Sequence, residues 1–145
     1  MKKIYRGMQN AAEDIQENFE ELSNGKQEKS NLSRGQKIWS GSAYPQADFT
    51  YPSKKLSECE NGWILVFQSY KGGGVVNAWD VSYHFVEKNS ALMHSGQNTK
   101  IEAFNTGGAS KVYKQVYLTD NSIKGHDTNG EGTNGSQVLS EVWSW

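Results

Sequence analysis

The densest run of side chains able to do chemistry is Gly125 to Gly135, GHDTNGEGTNG, in which Asp127, Asn129 and Glu131 alternate. Oxygen donors of this kind suit a hard cation such as Ca²⁺, but the EF-hand's full pattern and terminal glutamate are missing. A Gly, Asn, Thr and Asp mixture also builds any long turn. The stretch therefore reads as a polar loop contacting a ligand or a neighbouring subunit through His126, Asp127 and Asn129. No cofactor is expected, Ca²⁺ at Asp127, Asn129 and Glu131 being the alternative. The histidines at 84, 94 and 126 lack the spacing of a local metal pair and read as hydrogen-bonded strand or loop residues. No GxSxG elbow, P-loop or HExxH motif occurs. A cell-wall hydrolase or depolymerase would need acids paired across a groove, such as Asp80 with Glu87 or Asp120 with Asp127. The expectation is a protein that is not an enzyme.

The chain has five tryptophans, seven tyrosines and many Ser, Asn and Thr, a composition that suits sugar or protein recognition. Most large aromatics belong in a core by default. Trp63, Trp79, Tyr83 and Phe85 are assigned there, on the inner faces of the hairpin described next. Tyr44 in a bend, Tyr70 beside a glycine turn and Trp143 near the end are the candidates for a sugar-stacking or subunit surface.

These residues are positioned by a sheet. Trp63-Ile64-Leu65-Val66-Phe67 is apolar throughout, as in a strand covered on both faces. After Lys71-Gly72-Gly73-Gly74, the residues Val75, Trp79, Val81, Tyr83 and Phe85 alternate with Ala78, Asp80, Ser82 and His84, which predicts an antiparallel hairpin with the aromatic side buried. Further strands are expected at Lys37–Gly41, Asp48–Tyr51, Leu92–His94, Thr99–Phe104, Lys111–Thr119, Ser122–Gly125 and Gln137–Trp145. In the last of these Trp143 and Trp145 share one face. Seven to nine strands at this spacing predict a mainly β protein, an antiparallel sandwich or jelly-roll-like head. Cys59 reads as a small buried side chain beside the first hairpin strand.

Residues Gln9 to Leu22 predict a short amphipathic helix with Ile4, Met8, Ala11, Ile15 and Leu22 on an oligomerisation stripe that Asn18 interrupts. Asn24-Gly25 is the expected stop, and KQEKSNLSRG reads as a linker. The expected organisation is an assembly helix over 1–25, a linker over 26–35 and a β head over 36–145. A net charge of −1 argues against nucleic acid or an anionic membrane as partner. No apolar run suits a signal peptide or membrane span.

The segments NAAEDIQENFEEL, KIWSGSAYPQADFTYPSKKLSECENGWILVFQSY, SIKGHDTNGEG and VLSEVWSW cover most of the chain. With IWSG, the PSKKLSEC lead into NGWILVF, and GHDTN, the chain resembles small tail and baseplate proteins of long-tailed phages and prophages of Gram-positive bacteria, of the receptor-binding or tail-fibre type. The resemblance implies a virion component, made in the host cytoplasm without a signal peptide. It implies a homotrimer bundled through its N-terminal helices, contacting other tail or baseplate proteins. Its β head would recognise a host cell-wall saccharide or teichoic acid. A purely structural baseplate connector is the alternative, because the long shaft repeats of many fibres are missing.

Overall fold

The computed structural model describes residues 11–32, 35–105 and 110–145, with side chains in the first helix over 12–24. The chain divides into two compact units, Met1–Arg34 and Gly35–Trp145.

The first unit holds α1, Ala11–Leu32, whose first turn carries Glu13 and Asp14 against the positive end of the helix dipole. Gln16 donates to Glu20 one turn on, at 3.0 Å. The helix runs through Asn24-Gly25, where a stop was expected, so residues 26–32 of the expected linker are helical. A glycine inside a helix costs about 1 kcal/mol relative to alanine. The good helix formers Lys26, Gln27, Glu28 and Lys29 follow it, with no proline to block the next turn. Ile15, Phe19 and Leu22 are 43%, 66% and 50% exposed, and their spacing puts them on one side. Phe19 joins the expected stripe there. Ile4, Met8 and the side chain of Ala11 lie outside the described residues.

The second unit is a sandwich of two antiparallel sheets. Its strands are β1 (Lys37–Ala43), β2 (Gly62–Ser69), β3 (Ser82–Glu87), β4 (Asn98–Asn105), β5 (Ser110–Leu118), β6 (Ile123–Gly125) and β7 (Gln137–Ser144), with α2 (Lys88–Met93) between β3 and β4. One sheet has the order β1-β7-β2-β3 and the other β4-β5-β6. Trp63, Leu65 and Phe67 of β2 meet Ile101, Val116, Leu118 and Ile123 of the other sheet in one core, closed by Ile38, Leu56, Cys59, Leu139 and Val142. Cys59 is buried, as expected, and its thiol donates to the Lys55 carbonyl at 3.2 Å.

Two expected strands are absent. Of Asp48–Tyr51, Thr50 alone makes a bridge, to Ile123. Leu92-Met93-His94 forms the end of α2 and its cap, because the Glu87 carboxylate accepts the amides of Asn89 and Ser90 and so starts a helix.

The hairpin of β2 and β3 forms, but its second strand is turned over. Trp63 pairs with Val86, Leu65 with His84 and Phe67 with Ser82. The inward face of β3 therefore carries Ser82, His84 and Val86, while Tyr83 and Phe85 are 62% and 64% exposed. Val75, Trp79 and Val81 are also exposed, so of the four aromatics assigned to the core only Trp63 is there. A one-residue slip would reverse this, and burying each aromatic would stabilise by roughly 1.5–3 kcal/mol. The register is held instead at the far end. Gly62 lies at φ +152°, where a Cβ would stand 1.9 Å from the Val86 carbonyl oxygen. Lys88 anchors the same corner, its amide on Asn61 O at 2.7 Å and its ammonium on Cys59 O at 2.8 Å.

Candidate functional site

The inner face of β5 alternates Val112, Lys114, Val116 and Leu118, all buried, so a lysine occupies a core position. Lys114 is fully buried and donates to three main-chain carbonyls, those of Asn129 (2.6 Å), Gln137 (2.7 Å) and Asn134. Its Nζ lies 5.6 Å from the centre of the Tyr44 ring, and Tyr44 packs edge-on against Tyr70 at 5.4 Å. Burial pulls the Lys114 ammonium down to about 7 and pushes the Tyr44 phenol up.

The loop over 126–136 wraps this ammonium in two short 3₁₀ turns. Asn129 is its second anchor. Its side-chain amide donates to the carbonyls of Pro45 and Gln115, and its Oδ1 accepts the Gln115 amide at 2.8 Å. Gly125 admits this approach, since a Cβ there would collide with the Pro45 carbonyl. Three of the sequence candidates, Tyr44, Tyr70 and Asn129, thus come together, as parts of a loop anchor. His126 and Asp127 are exposed on the outside of the loop, His126 accepting the Thr128 amide through Nδ1. Glu131 is exposed while Asn129 is buried, so the alternating oxygen donors do not face one way. Among the described residues no three His, Cys, Asp or Glu side chains converge as a metal site.

Trp143 belongs elsewhere, on the outer face of the four-stranded sheet. The registers Lys37↔Trp143, Trp143↔Ile64 and Ile64↔Phe85 lay one row across β1, β7, β2 and β3. The neighbouring row is Glu141, Val66 and Tyr83. Trp145, paired with Gly62 two residues further along, brings its ring edge-on to Phe85 at 5.3 Å. At about 4.8 Å between strands, Trp143 and Phe85 stand roughly 10 Å apart. Polar groups border the rings. Lys37 bonds Glu141 at 3.1 Å and lies 5.7 Å from the centre of the Trp143 ring, and the Trp143 indole donates to Glu141 at 2.7 Å. These bonds from Trp143 and Lys37 hold the Glu141 carboxyl low despite its partial burial. Sequence reasoning missed Tyr83 and Phe85 here because alternation shows that two faces differ and not which one is inside.

Along β3 the sandwich has a cleft of about 650 Å³, lined by Tyr83 to Glu87, by α2 residues including Ala91, and by Asn98 to Ile101 of β4. His84, in the lining, packs edge-on against Phe67, ring centres 5.8 Å apart, and burial lowers its pKa. Of the acids considered for hydrolysis, Glu87 caps α2 and Asp120 accepts the amide and hydroxyl of Ser57.

No protein-family model, curated protein or solved structure matches the chain.

Proposed function

We propose that the chain is a non-enzymatic recognition protein that binds saccharide on the outer face of the four-stranded sheet. The observation that carries this reading is the aromatic cluster of Trp143, Phe85 and Trp145 with Tyr83 beside it on one face, where the Tyr83 and Phe85 rings are largely exposed and the two tryptophans half-buried. Flat apolar rings bordered by a carboxylate and an ammonium suit a sugar, which presents C–H faces and hydroxyl edges together. A sheet that forgoes the burial of two large aromatics departs from local consistency, and such departures concentrate at functional surfaces.

The setting we propose is a phage tail or baseplate, where the head meets a host cell-wall saccharide or teichoic acid and α1 joins copies of the chain. The exposed Ile15, Phe19 and Leu22 stripe supports the second part, since most of a helix's stability in a protein comes from covering its apolar side. Several weak sites on one particle then act together.

The test is binding of the full chain to purified Gram-positive cell walls and teichoic acid by sedimentation and calorimetry. Trp143→Ala and Phe85→Ala should each weaken binding about tenfold, roughly 1.4 kcal/mol, with an unchanged thermal midpoint. Wall binding that ignores both substitutions refutes the assignment of the face. No binding to walls or teichoic acid would leave the connector reading, in which the rings pack on a neighbouring tail subunit.

A further inference from the structure

The two sheets have four edges, and three of them are guarded against further pairing. β1 has two register breaks, between Lys37 and Trp39 and between Ser40 and Ala43. β6 is three residues long and is covered by Thr50, which exchanges both main-chain hydrogen bonds with Ile123. β4 points Lys100 and Glu102 outward, Glu102 paired with Lys111 at 2.9 Å, and its Phe104 carbonyl accepts from the Gln137 side chain. Charges, breaks and covers of this kind keep sheet edges from adding strands.

Among the described residues β3 has no register break and no cover, and its one charge, Glu87, stands at its last position. The bond from Lys88 N to Asn61 O and the pair of bonds between Gly62 and Trp145 settle which residues face which neighbour. By alternation the peptide groups of Ser82, His84 and Val86 face β2, and those of Tyr83 and Phe85 face away from the sheet. Among the described residues no main-chain hydrogen bond outside the strands engages Tyr83 or Phe85. The cleft runs along this edge, so the peptide groups have room for a partner.

We propose that β3 pairs antiparallel with β3 of a second copy of the chain about a two-fold axis through His84, joining two four-stranded sheets into one. The strand is self-complementary in this register. Tyr83 and Phe85 of one copy exchange main-chain hydrogen bonds with Phe85 and Tyr83 of the other, and their rings meet as cross-strand aromatic pairs. His84 faces its own copy as a neutral ring. Glu87, the one acid of β3, falls opposite Val81, so no like charges oppose each other. The register shifted to centre on Phe85 would set Glu87 against Tyr83 and is less well matched. A second copy fits better than an unrelated strand because it brings the same unguarded edge and the same aromatic side chains. The inference does not depend on saccharide binding.

The experiment combines light scattering and site-resolved amide exchange on the full chain from micromolar to submillimolar concentration. Phe85→Lys guards the edge with a charge, and Tyr83→Pro removes an outward N–H without touching the β2 ladder. The wild type is expected to change twofold in mass with concentration, and each variant to stay at the lower mass. Over the same range the amides of Tyr83 and Phe85 should slow at least tenfold in the wild type, a readout that needs no variant to fold. Assembly that leaves both amides fast, as would pairing through α1 or through the aromatic face alone, overturns the proposal. So does a wild type with no twofold step, or amides protected only when a foreign extended peptide is added.

Discussion

Replacing Lys114 by methionine tests how an ammonium is held in this core. The substitution keeps a similar volume but removes the donor to the carbonyls of Asn129, Asn134 and Gln137. At about 1 kcal/mol for each hydrogen bond, the loss is roughly 3 kcal/mol at pH 7. The pH dependence is the sharper part. With burial lowering the folded-state pKa to about 7, against about 10.4 for an unfolded lysine, the unfolded chain holds more protons between these values. Stability must then rise with pH through this window. Between pH 7 and 9 a single proton of this kind contributes about 2 kcal/mol. Urea titrations at pH 7, 8 and 9 on both proteins give the difference directly, since other titrating groups cancel. The gap between wild type and Lys114→Met should widen by about 2 kcal/mol on going to pH 9. A constant gap would show that the three carbonyls and the Tyr44 ring keep the ammonium charged throughout, and would refute the claim that burial dominates at this site.

Two other perturbations probe the core and the register. His84 is held neutral by burial, with its pKa lowered, so the unfolded chain takes up a proton first as pH falls. Stability present above about 6.5 should decline below it, and His84→Leu should flatten that decline in urea titrations between pH 5 and 7. Gly62→Ala sets a Cβ against the Val86 carbonyl at a φ of +152°. It should cost about 3 kcal/mol or more and lower the urea midpoint, and an unchanged midpoint would mean that this corner does not hold the β3 register.

Much of the sandwich was legible in the chain itself. A continuous apolar run marks β2, and short strand-forming segments bounded by turn residues mark β1, β4, β5, β6 and β7, because strand formation and turn conformation depend on neighbouring residues. The antiparallel pairing of β2 with β3 follows from the three glycines, which lie at positive φ. Burial of Cys59 and the shared face of Trp143 and Trp145 follow from similarly local patterns. The length of α1 was misjudged by local reasoning, since Gly25 is a weak stop when good helix formers come after it.

What only the tertiary structure decided is which way the alternating residues point and what the loops gather. Tyr83 and Phe85 read as core, yet a register held by Gly62 and Lys88 at the other end of the strand turns them outward. Lys114 breaks the apolar inner face of β5 in sequence, but the carbonyls that satisfy it come from Asn129, Asn134 and Gln137, which the chain brings back only after the β5–β6 turn. Tyr44 lies against that same ammonium and meets Tyr70 edge-on, although 25 positions lie between the two tyrosines. Periodicity is a property of neighbours along the chain, whereas the choice between two faces depends on a one-residue register and on contacts made across the fold.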